Sequence, residues 1–218
     1  MAYSKALVLP LVLMMALSVT GVAAAHWSDT VKINGTVYMG DLIVGWDEII
    51  DCWDNENENS PPKDVGDVSC SLSDEERSTH TGKYVYHKLS VNLTNVYPQY
   101  EAWCKATLTS AGTIPAHIIS ATITPGAGLV IGETFYDVNG RVIGWELDNA
   151  ETGGPVLNVY VTKQETGLSL VCNQIDPCDD EAVDVYIDVK QDGTQECHTY
   201  TFDIEFEAIQ WNKVGEVA

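Results

Sequence analysis

Tyr200-Thr201-Phe202-Asp203-Ile204-Glu205-Phe206-Glu207-Ala208 decides the fold. Its apolar residues (Tyr200, Phe202, Ile204, Phe206, Ala208) alternate with Thr201, Asp203, Glu205 and Glu207. A period of two is the mark of a strand with one face in a core and the other in water. The same period recurs upstream. Val183, Val185, Ile187 and Val189 alternate with Asp184, Tyr186, Asp188 and Lys190. Val85, His87, Leu89, Val91 and Leu93 share a face, as do Ala102, Cys104, Ala106 and Leu108. Ile118 to Thr124, Val142 to Leu147 and Val156 to Val161 are further β-rich runs. Pro125-Gly126, Asn139-Gly140, Gly153-Gly154-Pro155 and Asp192-Gly193 supply turn signals between strands. No amphipathic helix is evident after residue 25. One-sided strands without βαβ spacing predict an all-β, jelly-roll-like sandwich of two sheets.

The N-terminus has a different character. Lys5 precedes an apolar run from Ala6 to Val19, and Ala23-Ala24-Ala25 follows as a small-residue cleavage site. This is the pattern of a secretory signal over residues 1–25. The run is short for a membrane span of about 20 residues, so no membrane anchor is expected after cleavage, and the protein is expected outside the cell. From His26 onward a period of two returns. Val31, Ile33, Val37 and Met39 lie on one side, and Lys32, Asn34, Thr36 and Tyr38 on the other. Residues 26–40 therefore read as a separate N-terminal strand, and residues 41–218 as the sandwich domain. Within that domain, residues 52–81 are rich in Asp, Glu, Asn, Ser and Pro. They read as an acidic loop insertion, with a short helix capped by Ser73 and Glu76.

The formal net charge is −21. Such a surface repels nucleic acid and anionic lipid and suits cations or basic partners. Asp51, Asp54, Glu56 and Glu58 form a dense set of hard oxygen donors suited to calcium, without the glycine an EF-hand loop requires. Asp176, Asp179, Asp180 and Glu181 form a second acidic cluster. Cys52, Cys70, Cys104, Cys172, Cys178 and Cys197 are an even set, which in an exported chain suggests disulfides. The sequence does not choose among their pairings. Closeness along the chain favours Cys52 with Cys70 and Cys172 with Cys178, leaving Cys104 for Cys197. Two glycosylation sequons begin at Asn34 and Asn92, each on the polar side of its strand.

Chemistry is sparse. None of His26, His80, His87, His117 or His198 stands in an H-E-x-x-H motif, so a zinc protease of that type is not expected. Cleavage after Ala25 would leave His26 as a terminal copper ligand to be joined by His117 or His198, on weak grounds. We expect no enzyme and no required cofactor.

Two blocks resemble a known family. Ala25-His26-Trp27-Ser28-Asp29-Thr30, Ile33-Asn34-Gly35-Thr36-Val37 and Gly40-Asp41-Leu42 form the first. Val91-Asn92-Leu93-Thr94-Asn95-Val96-Tyr97-Pro98, with Gly112-Thr113-Ile114-Pro115-Ala116 further on, forms the second. Together they are similar to TasA/camelysin-type secreted proteins, a family that includes the archaeal bundling pili. Gln99 stands where the family usually has Gly, and Ala111 where it usually has Asn. One branch has been described as a metalloprotease. The resemblance implies a jelly roll that polymerises into biofilm-type fibres, each subunit lending its N-terminal strand to the next. Val31, Ile33, Val37 and Met39 would then be the buried residues of the donor strand, and identical subunits the partners. A monomeric secreted surface protein that binds cations or glycans is the alternative, with a metalloenzyme ranked behind it.

Overall fold

The computed structural model describes residues 40–56, 65–190 and 198–213. All of them belong to the unit Met39–Ala218. The signal segment, Val31, Ile33, Asn34, Val37, Met39, Glu58 and Cys197 lie outside the described residues. Among the described residues no helix is long and apolar enough to cross a membrane.

Eleven strands follow in order: β1 (Val44–Asp54), β2 (Asp67–Arg77), β3 (Tyr84–Val96), β4 (Glu101–Ser110), β5 (Ala116–Pro125), β6 (Leu129–Tyr136), β7 (Val142–Asn149), β8 (Pro155–Lys163), β9 (Gln174–Ile175), β10 (Asp180–Val189) and β11 (His198–Gln210). A 3-10 turn over Trp211–Lys213 follows. The chain is all-β and sandwich-like. Its strands form one curled antiparallel sheet in the order β6-β7-β8-β10-β4-β1-β3-β11-β5-β9, with β2 paired to β3.

The curl happens at one place. β1 and β3 share a single paired position, Trp46 with Tyr86. On one side of that joint lies the half β6-β7-β8-β10-β4-β1, and on the other β2-β3-β11-β5-β9. The halves face each other, since β5 packs toward β6 and β7 while β2 packs toward β4. Between them lies one core that includes Trp46, Leu89, Leu93, Leu108, Ile118, Leu147, Leu157, Ile187, Phe202 and Ile204, all fully buried or nearly so. Burying such side chains is the main force holding sheets face to face.

The alternations read from sequence lie where expected. Val183, Val185, Ile187 and Val189 are buried, as are Tyr200, Phe202 and Ile204. Two expectations need correction. The segment 52–81 is not a single loop. β1 continues through Asp54, and β2 occupies Asp67–Arg77, so the helix expected at Ser73–Glu76 is strand. β2 pairs with β3 in unbroken register from Asp67–Thr94 to Arg77–Tyr84. Its inward side chains are only Val68, Cys70 and Leu72. An edge strand is held by main-chain hydrogen bonds and so tolerates a polar composition.

The outer face of the β6–β1 half carries a row of rings. Trp53 on β1 stacks on Trp103 of β4 at 5.7 Å and 4°. Trp103 meets Tyr186 of β10 at 5.3 Å. Tyr186 meets Tyr160 of β8 at 6.0 Å, and Tyr160 stacks on Phe135 of β6 at 5.2 Å. Tyr160 and Phe135 meet over Gly144 of β7, the residue paired with both. A Cβ at 144 would lie 3.2 Å from the Tyr160 ring, so glycine lets the two rings close over the strand between them. Phe135 reaches this face because the register shifts between Ile131 and Glu133. A bulge of this kind reverses which residues point outward.

Candidate functional site

The site is built where the N-terminal segment enters the domain. Residues 40–43 are fastened to the turn after β4. Ala111 N and Gly112 N both donate to Ile43 O, at 2.9 and 3.1 Å, and Thr113 N donates to Asp41 O at 2.9 Å. Asp41 N donates to Thr113 Oγ1 at 2.9 Å. Ile43, Val85 and Ala111 form a small buried cluster apart from the main core. Close approach demands glycine at 112, where a Cβ would fall 2.9 Å from Ile43 N and nearer still to Asp41 O. The β2–β3 turn closes the clamp. Thr81 Oγ1 donates to Ala111 O at 2.7 Å, and Thr79 Oγ1 donates to Asp41 Oδ2 at 3.2 Å. His80 Nδ1 lies 2.5 Å from the same carboxylate oxygen. Gly40-Asp41-Leu42 and Gly112-Thr113, which belong to two separate sequence blocks, thus meet in space.

Beside this clamp runs a groove of about 220 Å³, lined by Leu42, Ile43, Val44, Phe206 and Ala208 and by Glu76, His87 and Glu207, so its surface is mixed apolar and polar. His87 Nε2 and Glu76 Oε2 are 2.8 Å apart. The groove exists because β3 leaves β11. The two pair only as far as Lys88 with Glu205, after which β3 turns to meet β1 at Tyr86. β11 continues to Gln210 against β5 alone, and among the described residues no strand pairs with Phe206–Gln210 on the side β3 has left. The far edge, β6, also has no second neighbour in the described sheet. Its Val130 and Ile131 are nearly half exposed.

The acidic residues do structural work. Glu56 is 2% exposed. Its carboxylate accepts from Val65 N at 2.7 Å through Oε2 and from Gly66 N at 2.9 Å through Oε1. Asp54 accepts from Glu56 N at 3.0 Å through Oδ1 and from the Tyr100 hydroxyl at 3.0 Å through Oδ2. Burial, then the hydrogen bond to Asp54, drives the Tyr100 phenol well above its ordinary pKa. Burial and Glu56 push Tyr97 up to about 12. Asp51 Oδ1 accepts from Cys52 N. In the second cluster, Glu181 takes Lys163 Nζ and Asn173 Nδ2, and Asp180 takes the Thr109 hydroxyl. Both carboxylate oxygens of Asp54 and of Glu56, and Oε2 of Glu181, therefore accept from protein donors.

The cysteines depart from the expected pairing. Cys70 of β2 is bonded to Cys104 of β4, across the sandwich. Cys52 is a free thiol beside them, and Cys172 and Cys178 are free and exposed. The local pair Cys52–Cys70 gives way because β2 returns to face β4, which sequence proximity could not reveal, and Cys172 and Cys178 are not bonded to each other. Among the described residues, the potential metal ligands that converge are Cys52, Cys70 and Cys104. Asn92 lies on β3, and its Nδ2 donates to Ser69 Oγ at 3.4 Å. His117 and His198 stand at opposite ends of β11, His117 paired with Ile209 and His198 beginning the strand, so they cannot share one metal.

The class these features define is an all-β sandwich with a clamped N-terminal root and an adjoining open groove. No family model, no curated protein and no solved structure matches this chain.

Proposed function

We propose that this chain is the structural subunit of an extracellular filament, joined head-to-tail by strand addition. The carrying observation is the clamp at Gly40–Ile43 beside the groove at Leu42–Val44 and Phe206–Ala208. It holds residues 40–43 beside a stretch of β11, Phe206–Gln210, that among the described residues has no strand on the side β3 has left. In this reading Val31, Ile33, Val37 and Met39 of one copy enter the groove of the next. Main-chain bonds to β11 supply affinity, and alternate apolar side chains supply register. A contact between two different surfaces does not close on itself, so the array stays open. Release of residues 1–25 frees the strand, and assembly requires no cofactor or enzyme activity.

The test is complementation. A domain lacking residues 26–38 is titrated with a peptide of residues 26–39. Saturable binding that is lost when Ile33 and Val37 of the peptide are aspartate supports the reading. Equal binding of both peptides, or of neither, contradicts it.

A second reading has one observation in its favour. The row Trp53, Trp103, Tyr186, Tyr160 and Phe135 gives a surface on which a neutral glycan could stack. Affinity electrophoresis in gels of neutral polysaccharide, compared with Trp103→Ala, tests it. Equal mobility in all gels removes it.

A further inference from the structure

We propose that Cys52, Cys70 and Cys104 form a thiol–disulfide exchange site, with Cys52 the resident nucleophile toward the disulfide that ties β2 to β4. The Cys70–Cys104 bond spans Cα atoms 6.5 Å apart. Cys52 Sγ lies 3.8 Å from Cys104 Sγ, and all three sulfurs lie within 4.8 Å of one another. Cys52 and Cys104 are also direct partners in the β1–β4 ladder. Opposed residues in an antiparallel pair have Cα atoms about 4.5–5.5 Å apart. That falls within the span of about 4.4–6.8 Å that a disulfide bridges. The alternative bond therefore needs side-chain rotation and no rearrangement of the sheet.

The step balances within the protein. The Cys52 thiol gives its proton to water, and the thiolate attacks Cys104 Sγ. The Cys52–Cys104 bond forms as the Cys70–Cys104 bond breaks, and Cys70 leaves as a thiolate that takes up a proton. One disulfide is consumed and one is made, so neither oxidant nor reductant is required.

The surroundings restrain the step. Burial raises the pKa of Cys52; the main-chain N–H of Cys70 opposes this, and the carboxylates of Asp51 and Asp67 add to the rise. Lys105, opposite Asp51 on β4, sits over the Trp53 ring at 4.9 Å on the outer face. Thiolate is scarce at neutral pH, and exchange quickens about tenfold per pH unit below the thiol pKa. The outcome matters mechanically. Cys70–Cys104 fastens edge strand β2 to the facing half of the sandwich. Cys52–Cys104 lies within one half and leaves β2 held by its pairing with β3 and by its inward side chains, with no covalent tie to the facing half. This proposal does not depend on the filament reading.

The experiment uses the full chain. It is incubated across neutral to alkaline pH and quenched in acid. Free thiols are then alkylated, and the disulfides are mapped by mass spectrometry. The expected result is Cys70–Cys104 at neutral pH, with a fraction of Cys52–Cys104 carrying alkylated Cys70 that grows as pH rises. Cys52→Ser should hold Cys70–Cys104 at every pH, and Cys70→Ser, treated with oxidised glutathione as the two-electron oxidant, should form Cys52–Cys104. Alkylation of Cys52 in every wild-type molecule at every pH overturns the proposal. So does folded, oxidised Cys70→Ser with Cys52 and Cys104 both free. If Cys70→Ser does not fold, the wild-type series decides.

Discussion

The indole Nε1 of Trp46 on β1 donates to the main-chain oxygen of Ile204 on β11, at 3.4 Å and across 158 residues of sequence. Trp46 also pairs with Tyr86 at the single β1–β3 position, and its ring meets Phe206 at 5.2 Å. One fully buried side chain therefore holds the two halves of the sandwich at the point where the sheet curls. Trp46→Phe removes the donor and part of the volume and should cost about 1–3 kcal/mol, and Trp46→Ala about 3–5 kcal/mol. Urea denaturation reads this as a lower midpoint at unchanged slope. A midpoint within error of wild type for Trp46→Ala would show that the joint does not depend on this residue.

Tyr97, Tyr100 and Tyr186 all hold their protons more tightly in the fold than in the open chain, chiefly through burial, each with a carboxylate neighbour: Glu56, Asp54 and Glu101 respectively. A folded-state pKa above the unfolded one gives stability that is intact below about pH 10 and is lost as pH rises toward the folded value. Absorbance titration of the ten tyrosines should therefore be biphasic. An early wave near pH 10 should precede a second that coincides with loss of β-sheet circular dichroism at higher pH. A single wave near pH 10 with the fold retained contradicts the assignment.

Gln99 has φ 71°, in the left-handed region that favours glycine. Its N–H donates to Val189 O, and its own carbonyl accepts from Asn55 Nδ2. Side chains are strained there by about 1–2 kcal/mol, and glycine is not, although glycine gains freedom on unfolding. Gln99→Gly should raise stability by up to about 1 kcal/mol, and Gln99→Val should lower it. A thermal melt of the three proteins checks the order.

Gly112→Ala should separate clamp from core. The added methyl meets Asp41 O and Ile43 N, so the loss should be about 1–3 kcal/mol. It should also speed amide exchange of Ala111, Gly112 and Thr113 relative to residues of β10. Unchanged exchange at those amides would mean that residues 40–43 are not held as described.

The strands that sequence displayed best were those with strong core faces. Val183 to Val189 and Tyr200 to Ile204 each place three or four apolar side chains on one face, and burial overrides local noise. β2 was hidden because Val68, Cys70 and Leu72 are its whole apolar content among Asp, Ser and Glu. Its place comes from pairing with β3, which composition does not encode. Phe135 was hidden for another reason: the register shift after Ile131 reverses its face, and strict alternation assigns it inward. The partners of Glu56, Val65 N and Gly66 N, are main-chain groups with no sequence signature, so its place in the fold could not be read from the chain. The clamp was half visible. Both of its blocks stood out by motif, but only the fold brings Ile43 against Ala111 and Gly112.

The central claim is that residues 26–39 link one subunit to the next. Negative-stain electron microscopy of the native protein beside a variant lacking residues 26–38 tests it most directly. Filaments are expected from the native protein, persisting after chelation of divalent cations, and dispersed particles from the variant. Dispersed globules from both proteins, or filaments from both, would contradict it.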